Sequence, residues 1–414
     1  MSTQAAELLS GMPAGALEGV RVVEICSTFA GPVCARLMAD FGAEVIKLEP
    51  RDGDPVRLLG DDAQGVSLQG ISLMRGKRSV AIDLKAPEGK AIARALIDKA
   101  DILIENNRPG VLERLGFGYD ELATTNPGLV MVRISGYGQT GPNAQRPGYG
   151  AICEAFGGVR HLTGDPDRPP SRVALATTDY LTAVYAAFGA MMALVARQRT
   201  GRGQVVDAAL YEAAFSMMEG LVPAYQFLGK VPFRNGPNLQ AFAPNSLYPT
   251  KDDSYILIAA NNKATYERLV AVMARPHMLT DPRFATIRAR AENMAAVDAE
   301  VADWTRQFTG AELESKLIAA EVPTSRVYSM AEIFEDPHYR AREMLLEVPH
   351  PVLGTTLQGG IVPKLSATPG QVRHAGHDAG ADTTAVLRDE LGYTPEHIAR
   401  LLADGVVGAR AEGA

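Results

Sequence analysis

Short apolar segments alternate with helical patterns over the first third of this 414-residue chain. Val20–Ile25 is short, apolar and rich in branched residues, which is typical of a buried strand. Segments of the same kind recur at Val45–Leu48, Ser79–Leu84, Ile102–Ile104 and Leu129–Ser135. Strands that alternate with helices form a mostly parallel sheet covered on both faces. We therefore predict an α/β fold built on a large Rossmann-like parallel-sheet domain.

Helix signals occupy the gaps between these strands. Pro32 fits the first turn of a helix that Gly42 ends, and Pro87 opens another helix that reaches about Lys99. Further along the chain, Val205–Met217 is typical of a strand that runs directly into a helix. These helices are expected to cover the sheet.

The longest uncharged run, Tyr180–Ala196, has only marginal length for a membrane span. It is rich in Ala and Gly, which favours a buried helix in a protein core. We therefore predict a core helix here and no membrane partner.

The composition changes around Leu228–Pro249, where Pro, Asn, Gly and aromatic residues become frequent. We interpret this stretch as a connection into a smaller α+β domain. Its predicted elements are a strand at Tyr255–Ala259 and helices from about Ala264, Glu292 and Gly310. The predicted bounds are residues 1–227 for the N-terminal part of the large domain, 228–330 for the small domain, and 331–414 for a return segment that completes the large one.

Two helix starts in the second half carry capping-box spacing, with Thr309 before Glu312 and Ser329 before Glu332. The C-terminal tail carries one more helical stretch, Thr383–Leu391. Its polar end is expected to fray.

Charge and cysteine content exclude several classes of protein. The formal net charge is −7 and no broad basic stripe stands out, so we predict no nucleic-acid partner. The first twenty residues lack the pattern of a secretory signal. Cys26, Cys34 and Cys153 are too few and too scattered for a disulfide framework or a zinc site. Buried structural thiols in a reduced cytoplasm are expected.

Sequence motifs argue against further classes. No G-x-G-x-x-G follows the first strand and no G-x-x-x-x-G-K-[ST] occurs, which disfavours a dinucleotide dehydrogenase and a P-loop enzyme. His374, His377 and Asp378 lie in a Gly- and Ala-rich stretch, which favours a solvated loop over a metal site. We therefore predict no metal.

Polar and glycine-rich clusters follow four of the predicted strands. They are Ser27–Gly31, Glu49–Arg51, Asn106–Gly110 and Gly136–Gly141. In open parallel sheets, ligands bind beyond the carboxyl ends of the strands. Four such clusters favour a ligand site at this edge, although each one alone is also explained by the turn preferences of Gly, Asn and Pro.

Six cations lie in or near these clusters within an otherwise acidic chain: Arg51, Arg75, Lys77, Arg78, Arg108 and Arg114. Arginine forks suit phosphate oxygens and lysine supplies a point charge, so the set favours a phosphate-bearing ligand. Taken one at a time, each cation is better explained as solvated surface charge.

Asp179 is a lone carboxylate at the start of the apolar run Tyr180–Ala196. A charge in such a place costs free energy unless something pairs with it or uses it. It suits an N-cap, which accepts from the free N–H groups of a first turn, and it also suits a covalent nucleophile or a general base. The segment alone favours the cap, whereas the rest of the chain favours the nucleophile.

Seven segments in a fixed order carry a resemblance to a known family. They are Leu17–Val23, Ala30–Pro32 through Gly42–Glu49, Arg75–Ser79, Lys85–Gly89, Ile104–Gly110, Gly136–Pro142 and Thr200–Gln204. With them the chain resembles the class III CoA-transferases, the CaiB/BaiF or formyl-CoA transferase family. The likeness covers nearly the whole chain and is strongest from Leu17 to Tyr211, and it implies that the large domain binds CoA.

The resemblance implies that Asp179 is the catalytic residue of a ping-pong CoA exchange. Asp179 attacks the thioester of an acyl-CoA donor, and the mixed anhydride that results is converted by the CoA thiolate to a β-aspartyl-CoA thioester. A carboxylic acid acceptor then takes CoA by the reverse steps. A carboxylate with a reference pKa of about 4 is ionised at neutral pH and needs no base. The expected donor is succinyl-CoA; coenzyme A thioesters are substrates, and no tightly bound cofactor is expected.

The resemblance also implies a set of residues around the CoA ester: Phe29, Ala30, Arg51, Lys77, Asn106, Asn107, Arg114 and Tyr137. Phe29 and Ala30 match the loop that lines the thioester end of CoA, and Tyr137 matches a tyrosine near the catalytic aspartate. The remaining positions match the surroundings of the nucleotide and pantetheine, with Arg51 in place of an arginine that formyl-CoA transferases carry one residue earlier.

Several positions depart from the formyl-CoA transferases. Phe29 replaces a glutamine, Asn107 replaces a phenylalanine and Ser135 replaces a lysine. The tetraglycine loop of those enzymes has no counterpart near Phe233–Pro249. An acid pair other than formate and oxalate is therefore expected.

Three further functions stay open at this point. The α-methylacyl-CoA racemases of the same superfamily need a histidine where this chain reads Pro147–Gly150, so transfer of an α-proton lacks one partner. A non-catalytic acyl-CoA-binding protein is the second possibility, and a Rossmann-type oxidoreductase is the third.

The resemblance also implies an oligomeric state. Members of the family form interlocked dimers in which each chain threads through its partner. We therefore expect an interlocked homodimer, a topology that single chains rarely show.

Overall fold

The structure is a computed structural model that describes residues 15–239 and 242–409. The chain divides into two compact units. The first comprises the residues up to Val159, Val173–Val222 and the residues from His338 onward. The second comprises Arg160–Arg172 and Pro223–Pro337.

The strands of the described residues are, in chain order, β1 (Arg21–Ile25), β2 (Glu44–Glu49), β3 (Asp62–Ala63), β4 (Val66–Ser67), β5 (Lys77–Ile82), β6 (Ile102–Glu105), β7 (Val130–Ser135), β8 (Val205–Ala209), β9 (Asn245–Pro249), β10 (Tyr255–Ala259), β11 (Thr324–Arg326), β12 (Leu345–His350), β13 (Gly354–Gly359) and β14 (Val407–Gly408).

The helices are α1 (Ala30–Asp40), α2 (Leu68–Met74), α3 (Pro87–Ile97), α4 (Val111–Leu115), α5 (Tyr119–Leu122), α6 (Gly150–Phe156), α7 (Val159–Leu162), α8 (Thr177–Thr200), α9 (Leu210–Ser216), α10 (Leu221–Leu228), α11 (Lys263–Met273), α12 (His277–Thr280), α13 (Ile287–Glu292), α14 (Met294–Thr305), α15 (Gly310–Ala319), α16 (Met330–Glu335), α17 (Pro337–Ala341), α18 (Thr383–Asp389) and α19 (Pro395–Ala403). A 3₁₀ turn covers Pro55–Leu58.

A seven-stranded sheet in the order β14-β5-β2-β1-β6-β7-β8 forms the centre of the first unit. Its neighbouring strands are parallel except for β14, which runs antiparallel to β5. Val22 of β1 lies between Val45 and Ile102. Strands that are buried on both faces need helices on both sides. The predicted α/β fold with a large, mainly parallel sheet is thus confirmed.

Apolar side chains fill both sides of this sheet. One core joins α1 and α8 to the sheet through residues such as Val33 and Ala186. The second core lies under α3, α18 and α19 and includes Ile92, Val386 and Leu401. The return of the chain after residue 338 therefore completes the second of these cores.

The C-terminal tail is more ordered than the sequence indicated. Val407 pairs with Ile82 at the edge of the sheet, so the expectation of a frayed end is wrong for this strand. The preceding helix α19 buries Ile398 and Leu401. Short amphipathic elements of this kind are stabilised by packing rather than by local signals. Residues 410–414 lie outside the described part of the chain.

Helix α8 is buried on one face only. Its small residues Ala183, Ala186 and Ala190 are fully buried against the sheet. Its large apolar residues point away from the sheet and are exposed: Val184, Tyr185, Phe188, Met192 and Val195. The prediction of a core helix is therefore correct for the alanine face and wrong for the opposite one. Among the described helices, α8 alone is long and apolar enough to span a bilayer, by length and composition.

The second unit carries a three-stranded antiparallel sheet in the order β11-β10-β9. Ile256, Leu269 and Val301 belong to its separate apolar core. Both predicted capping boxes are confirmed, at the starts of α15 and α16.

Candidate active site at the carboxyl edge of the sheet

The polar clusters after β1 and β6 lie together, because these two strands are neighbours in the sheet. The N–H of Ser27 donates to Asn106 Oδ1 at 2.9 Å, and Asn106 Nδ2 donates to the Ser27 carbonyl at 2.7 Å. Asn107 Nδ2 donates to the Ile25 carbonyl at 3.3 Å. The two asparagines therefore fix the loop after β1 against the loop after β6.

The loop after β1 turns sharply into α1. Thr28 has a φ of 70°, a left-handed conformation that is unusual for a branched residue, and its N–H donates to Asp54 Oδ1 at 3.2 Å. A Cβ atom on Gly31 would overlap Cys26 Sγ, so only glycine permits this close approach. The loop presents Phe29, which is half-buried, and then Ala30, which is buried.

A buried cluster of charges lies behind this loop. Glu24 accepts from Lys47 Nζ at 2.8 Å and from Lys77 Nζ at 2.7 Å. Lys47 also pairs with Asp54 at 2.8 Å, and Lys77 Nζ donates to the Pro32 carbonyl at 2.8 Å. Lys77 is only 2% exposed. The structure thus places the Lys77 ammonium beneath the first turn of α1, and its contact with CoA stays a prediction.

The pKa values of the two lysines in this cluster are shifted in opposite directions. Burial lowers the pKa of Lys77, and the attraction of Glu24 does not compensate fully. Burial also disfavours the charge of Lys47, but the carboxylates of Glu24 and Asp54 outweigh it and raise the Lys47 pKa. Lys47 is therefore firmly charged, and it anchors the Asp54 carboxylate that orients Thr28.

Arg51 and Arg114 are both exposed near the ends of strands. Arg51 lies beside the C-terminal segment, where a Cβ atom on Gly405 would come 2.7 Å from Arg51 Nη1. Arg114 lies on α4, and a Cβ atom on Gly110 would come 3.1 Å from its Nη1. Both guanidinium groups are therefore accessible to the phosphate groups of a ligand that binds from solvent.

Two more of the cations that the sequence singled out have structural partners. Arg75 is buried and donates to Asp40 through Nε at 2.9 Å and Nη2 at 2.7 Å. Arg78 pairs with Glu44 and with Glu390, each at 2.8 Å. For these two residues, ion pairing within the protein accounts for the charge.

Asp179 lies in the first turn of α8, whose N-cap residue is Ala176. The N-cap interpretation of Asp179 is therefore wrong. A Cβ atom on Gly150 would overlap Asp179 Oδ2, so the Gly150 backbone touches the carboxylate. A negative charge in a first turn is favoured by the helix dipole. The Asp179 carboxylate therefore lies at the start of a long helix and against the backbone of Gly150.

Two further glycines, Gly136 and Gly148, allow close backbone contacts next to Asp179. A Cβ atom on Gly136 would lie 2.9 Å from Gly148 Cα, and one on Gly148 would lie 3.0 Å from Tyr137 Cε2 and 3.1 Å from Cys153 Sγ. Gly136 and Tyr137 follow β7, and Gly148 precedes α6. The loop after β7 and the loop before α6 therefore pack backbone to backbone beside Asp179.

The thiol nearest to this carboxylate is not a competing nucleophile. Cys153 is fully buried, and its Sγ donates to the Gly136 carbonyl at 3.3 Å. Burial and the charge of Asp179 raise its pKa to about 11. Cys26 and Cys34 are buried too, and their pKa values are also raised, first by burial. The expected structural role of the thiols is consistent with these surroundings.

An aromatic wall stands next to the glycines. Tyr137 is buried and meets Phe156 edge to face at 5.2 Å between ring centroids. Tyr211 lies 6.1 Å from Tyr137 and 5.4 Å from Phe156. The guanidinium carbon of Arg146 lies 5.1 Å from the Tyr137 ring centroid. These rings make the surroundings of the loops largely apolar.

The structure therefore brings seven of the nine predicted site residues into two groups, and leaves the exposed Arg51 and Arg114 outside both. Phe29, Ala30, Asn106 and Asn107 surround the end of β1, with Lys77 beneath them; Tyr137 and Asp179 flank the glycines. Sequence reasoning missed Gly150 and Arg146. The sequence singles out the nearby segment Pro147–Gly150 only because it lacks the histidine that the racemases need at this place. In the structure, that segment presents glycine backbone rather than an imidazole.

A model of CoA-transferase family III matches residues 17–383. A succinyl-CoA–D-citramalate CoA-transferase of Chloroflexus aurantiacus is 44% identical over 400 residues, which cover 96% of this chain and 100% of that protein. A succinyl-CoA:mesaconate CoA-transferase of Haloarcula hispanica is 35% identical over 81% of this chain and 86% of its own. A CaiB/BaiF family protein from Brucella suis superposes with a TM-score of 0.80 at 32% identity, over 91% of this chain and 100% of its own.

Proposed function

Because the chain belongs to CoA-transferase family III, and so is an enzyme acting on a CoA thioester and an organic acid, we propose that Asp179 carries the exchange as a covalent nucleophile. The observation that carries this proposal is the fit of the Asp179 carboxylate against the Gly150 backbone at the start of α8. The glycine gives the carboxylate the space that any larger side chain at this position would take from it.

Each step of the proposed reaction makes and breaks one acyl bond. A carboxylate oxygen of Asp179 attacks the thioester carbonyl, and CoA leaves as a thiolate, which gives a mixed anhydride. The thiolate attacks the aspartyl carbonyl of the anhydride, so the donor acid leaves and a β-aspartyl-CoA thioester remains. The acceptor carboxylate attacks the carbonyl of that thioester, CoA leaves again as a thiolate, and a second anhydride forms. The thiolate then attacks the acceptor carbonyl, which releases the new acyl-CoA and restores Asp179.

The surroundings support this route in two ways. The N-terminus of α8 stabilises negative charge near Asp179 before and after each attack. Tyr137, Phe156 and Tyr211 form an apolar wall, and such a wall protects an anhydride from hydrolysis. Tyr137 is therefore proposed to shield the intermediate.

We propose that CoA lies along the carboxyl ends of β1, β2 and β6. Phe29 and Ala30 would face the thioester end, while Asn106 and Asn107 keep that loop in place. Arg51 and Arg114 would reach the phosphates, because both are exposed beside these strand ends. Lys77 is proposed to act on CoA chiefly through the α1 turn that it supports.

We propose succinyl-CoA as the donor and a small dicarboxylic acid as the acceptor. The two relatives described above carry succinyl-CoA together with citramalate or mesaconate in their names. Identity of 44% over the whole length of the first makes a substrate of the same size reasonable. The choice among such acids depends on pocket contacts.

We propose that the protein is a cytoplasmic homodimer, interlocked as the resemblance implies. The exposed apolar face of α8 supports association, since a face of this size is rarely left in water. The alanine face of the same helix is already used against the sheet, which favours a protein partner over a bilayer for the exposed face.

The test is transfer of CoA from succinyl-CoA to a panel of acids by wild type and Asp179→Asn. The variant is expected to lose at least about 10³-fold in kcat, as when a covalent nucleophile is removed. Asp120→Asn, which changes an exposed first-turn aspartate on α5, is the matched control and is expected to keep wild-type activity. Near-native transfer by Asp179→Asn would refute the covalent route, and binding without transfer by wild type would favour an acyl-CoA-binding protein.

A further inference from the structure

Arg146 is an exposed arginine held beside the candidate active site. Its guanidinium carbon lies 5.1 Å from the Tyr137 ring centroid, and its Nη1 is 3.4 Å from Asn143 Oδ1. Within the described residues, these contacts do not include a carboxylate. A guanidinium group keeps its charge at every physiological pH. Arg146 is therefore a fixed positive charge whose bidentate face is unused.

The Gly148–Gly150 segment connects this charge to Asp179. Gly148 lies against the edge of the Tyr137 ring that Arg146 covers, and Gly150 touches the Asp179 carboxylate. Arg146 itself is only four residues before Gly150 in the chain. A small molecule that lies on this segment with one end at Asp179 would thus meet a positive charge at its far end.

We infer that Arg146 binds the substrate carboxylate remote from the reacting carbonyl, and so selects dicarboxylic acyl groups. This inference rests on the proposed function. The arginine fork matches a carboxylate through two parallel N–H···O bonds. Stacking on Tyr137 limits the motion of the guanidinium group, so less conformational freedom is lost when the carboxylate binds.

Binding to Asp179→Asn protein tests recognition apart from chemistry. Succinyl-CoA and butyryl-CoA differ only at the remote end of the acyl chain, where one has a carboxylate and the second a methyl group. With Arg146 present, succinyl-CoA is expected to bind roughly 10- to 150-fold more tightly, the range for hydrogen bonds to charged groups. In Asp179→Asn with Arg146→Met, the two dissociation constants are expected to be nearly equal, with that of butyryl-CoA unchanged. Arg146→Lys is expected to retain part of the preference.

Arg306→Met is the control, since it removes another exposed arginine, at the end of α14. It is expected to leave the preference intact. A preference that survives Arg146→Met, no preference in the protein that retains Arg146, or an equal loss of affinity for both thioesters would overturn the inference. Failure of the wild type to transfer CoA would instead refute the proposed function, while the ratio of the two dissociation constants would still decide the role of Arg146.

Discussion

At the scale of single residues, the site depends on a missing side chain as much as on a carboxylate. Gly150 has no Cβ atom, and that absence lets its backbone touch Asp179. The position does not require a left-handed conformation, because Gly150 begins α6 with ordinary helical geometry. The glycine is therefore explained by space rather than by backbone freedom.

We predict that Gly150→Ala lowers kcat by about 10²-fold, because the new methyl group must displace the Asp179 carboxylate from its reacting position. The measurement is steady-state transfer of CoA together with thermal unfolding. Gly220→Ala is the control, since a Cβ atom there meets no neighbour. Full activity in Gly150→Ala would show that Asp179 need not stand where the structure places it.

A second residue-scale prediction concerns Glu24, which accepts from two buried ammonium groups. Glu24→Gln leaves Lys47 and Lys77 without that charge and is expected to lower the free energy of unfolding by about 3 kcal/mol or more. Urea denaturation measures the change. Glu121→Gln, which removes a largely exposed partner of Arg94, is expected to cost less than about 1 kcal/mol. Equal effects of the two substitutions would contradict the structural role given to the cluster.

A sequence draws attention to a single residue where that residue departs from its local pattern. Asp179 stands out as a carboxylate before an apolar run, and the resemblance assigns it a role. Gly150 and Arg146 look ordinary in the sequence, because their positions beside Asp179 and Tyr137 are set by contacts between residues that are separated in the chain. Lys77 shows the reverse case: its charge suggests a ligand, whereas burial against Glu24 is visible only in three dimensions.

At the scale of elements, the two faces of α8 differ in the size of their side chains and in their burial. Alanines pack against the sheet, and a Cβ atom on Gly189 would come 2.7 Å from Val206 Cγ1, so small residues let the helix approach β8 closely. The large apolar residues point outward, with Phe188 60% exposed. This exposed apolar face is the observation on which the proposed association of two chains rests.

We predict that the wild type sediments as a dimer at micromolar concentration. Interlocked chains separate only when they unfold, so the measurement is the fraction of dimer that analytical ultracentrifugation finds after refolding from urea. Phe188→Glu is expected to refold mainly to species other than the dimer, since a charge in an apolar interface is poorly compensated. Val327→Glu introduces the same charge at another exposed apolar residue and is expected to regain the wild-type fraction of dimer. A monomeric wild type, or a wild-type fraction of dimer in refolded Phe188→Glu, would remove α8 from the interface.

Element types were predictable where periodicity was strong. Strands β1, β2, β5, β6 and β7 and the helices α1, α3 and α8 follow from local patterns, and both capping boxes follow from spacing alone. The hairpin of β12 and β13 and the edge strand β14 were not predicted. Two-residue and partly exposed strands carry little local signal, because their stability comes from the partner strands and packing around them.

At the scale of the whole molecule, the buried thiols make the free energy of unfolding depend on pH in the alkaline range. Burial raises the pKa of Cys34 from 9.0 to about 12, while the unfolded chain releases that proton near 9.0. Between these values the folded state binds more protons than the unfolded state, so stability falls as pH rises. The same direction applies to Cys153, whose pKa is about 11.

We predict that the free energy of unfolding decreases between pH 9 and pH 11, by at most about 1.4 kcal/mol per pH unit for each such thiol. Cys34→Ala removes one of the groups and is expected to make this decrease shallower, despite some loss of packing at every pH. Urea unfolding at a series of pH values measures both slopes. Identical slopes in the two proteins would show that the Cys34 thiol does not contribute.

The division of the chain is only partly written in its sequence. The domain bounds at 228 and 330 stay predictions, whereas the second compact unit of the structure begins near Pro223 and also includes Arg160–Arg172. A change in composition indicates where a chain leaves one unit, but the predicted bounds do not separate the short segment Arg160–Arg172 from the large domain. Contacts between residues far apart in the chain decide it.

We propose that Asp179 becomes covalently attached first to the acyl donor and then to CoA. The decisive experiment is peptide mass spectrometry after incubation with succinyl-CoA and trapping with hydroxylamine. A hydroxamate is expected at Asp179 in the wild type, and none at this position in Asp179→Asn or without succinyl-CoA. An unmodified Asp179 in enzyme that is actively transferring CoA would contradict this proposal.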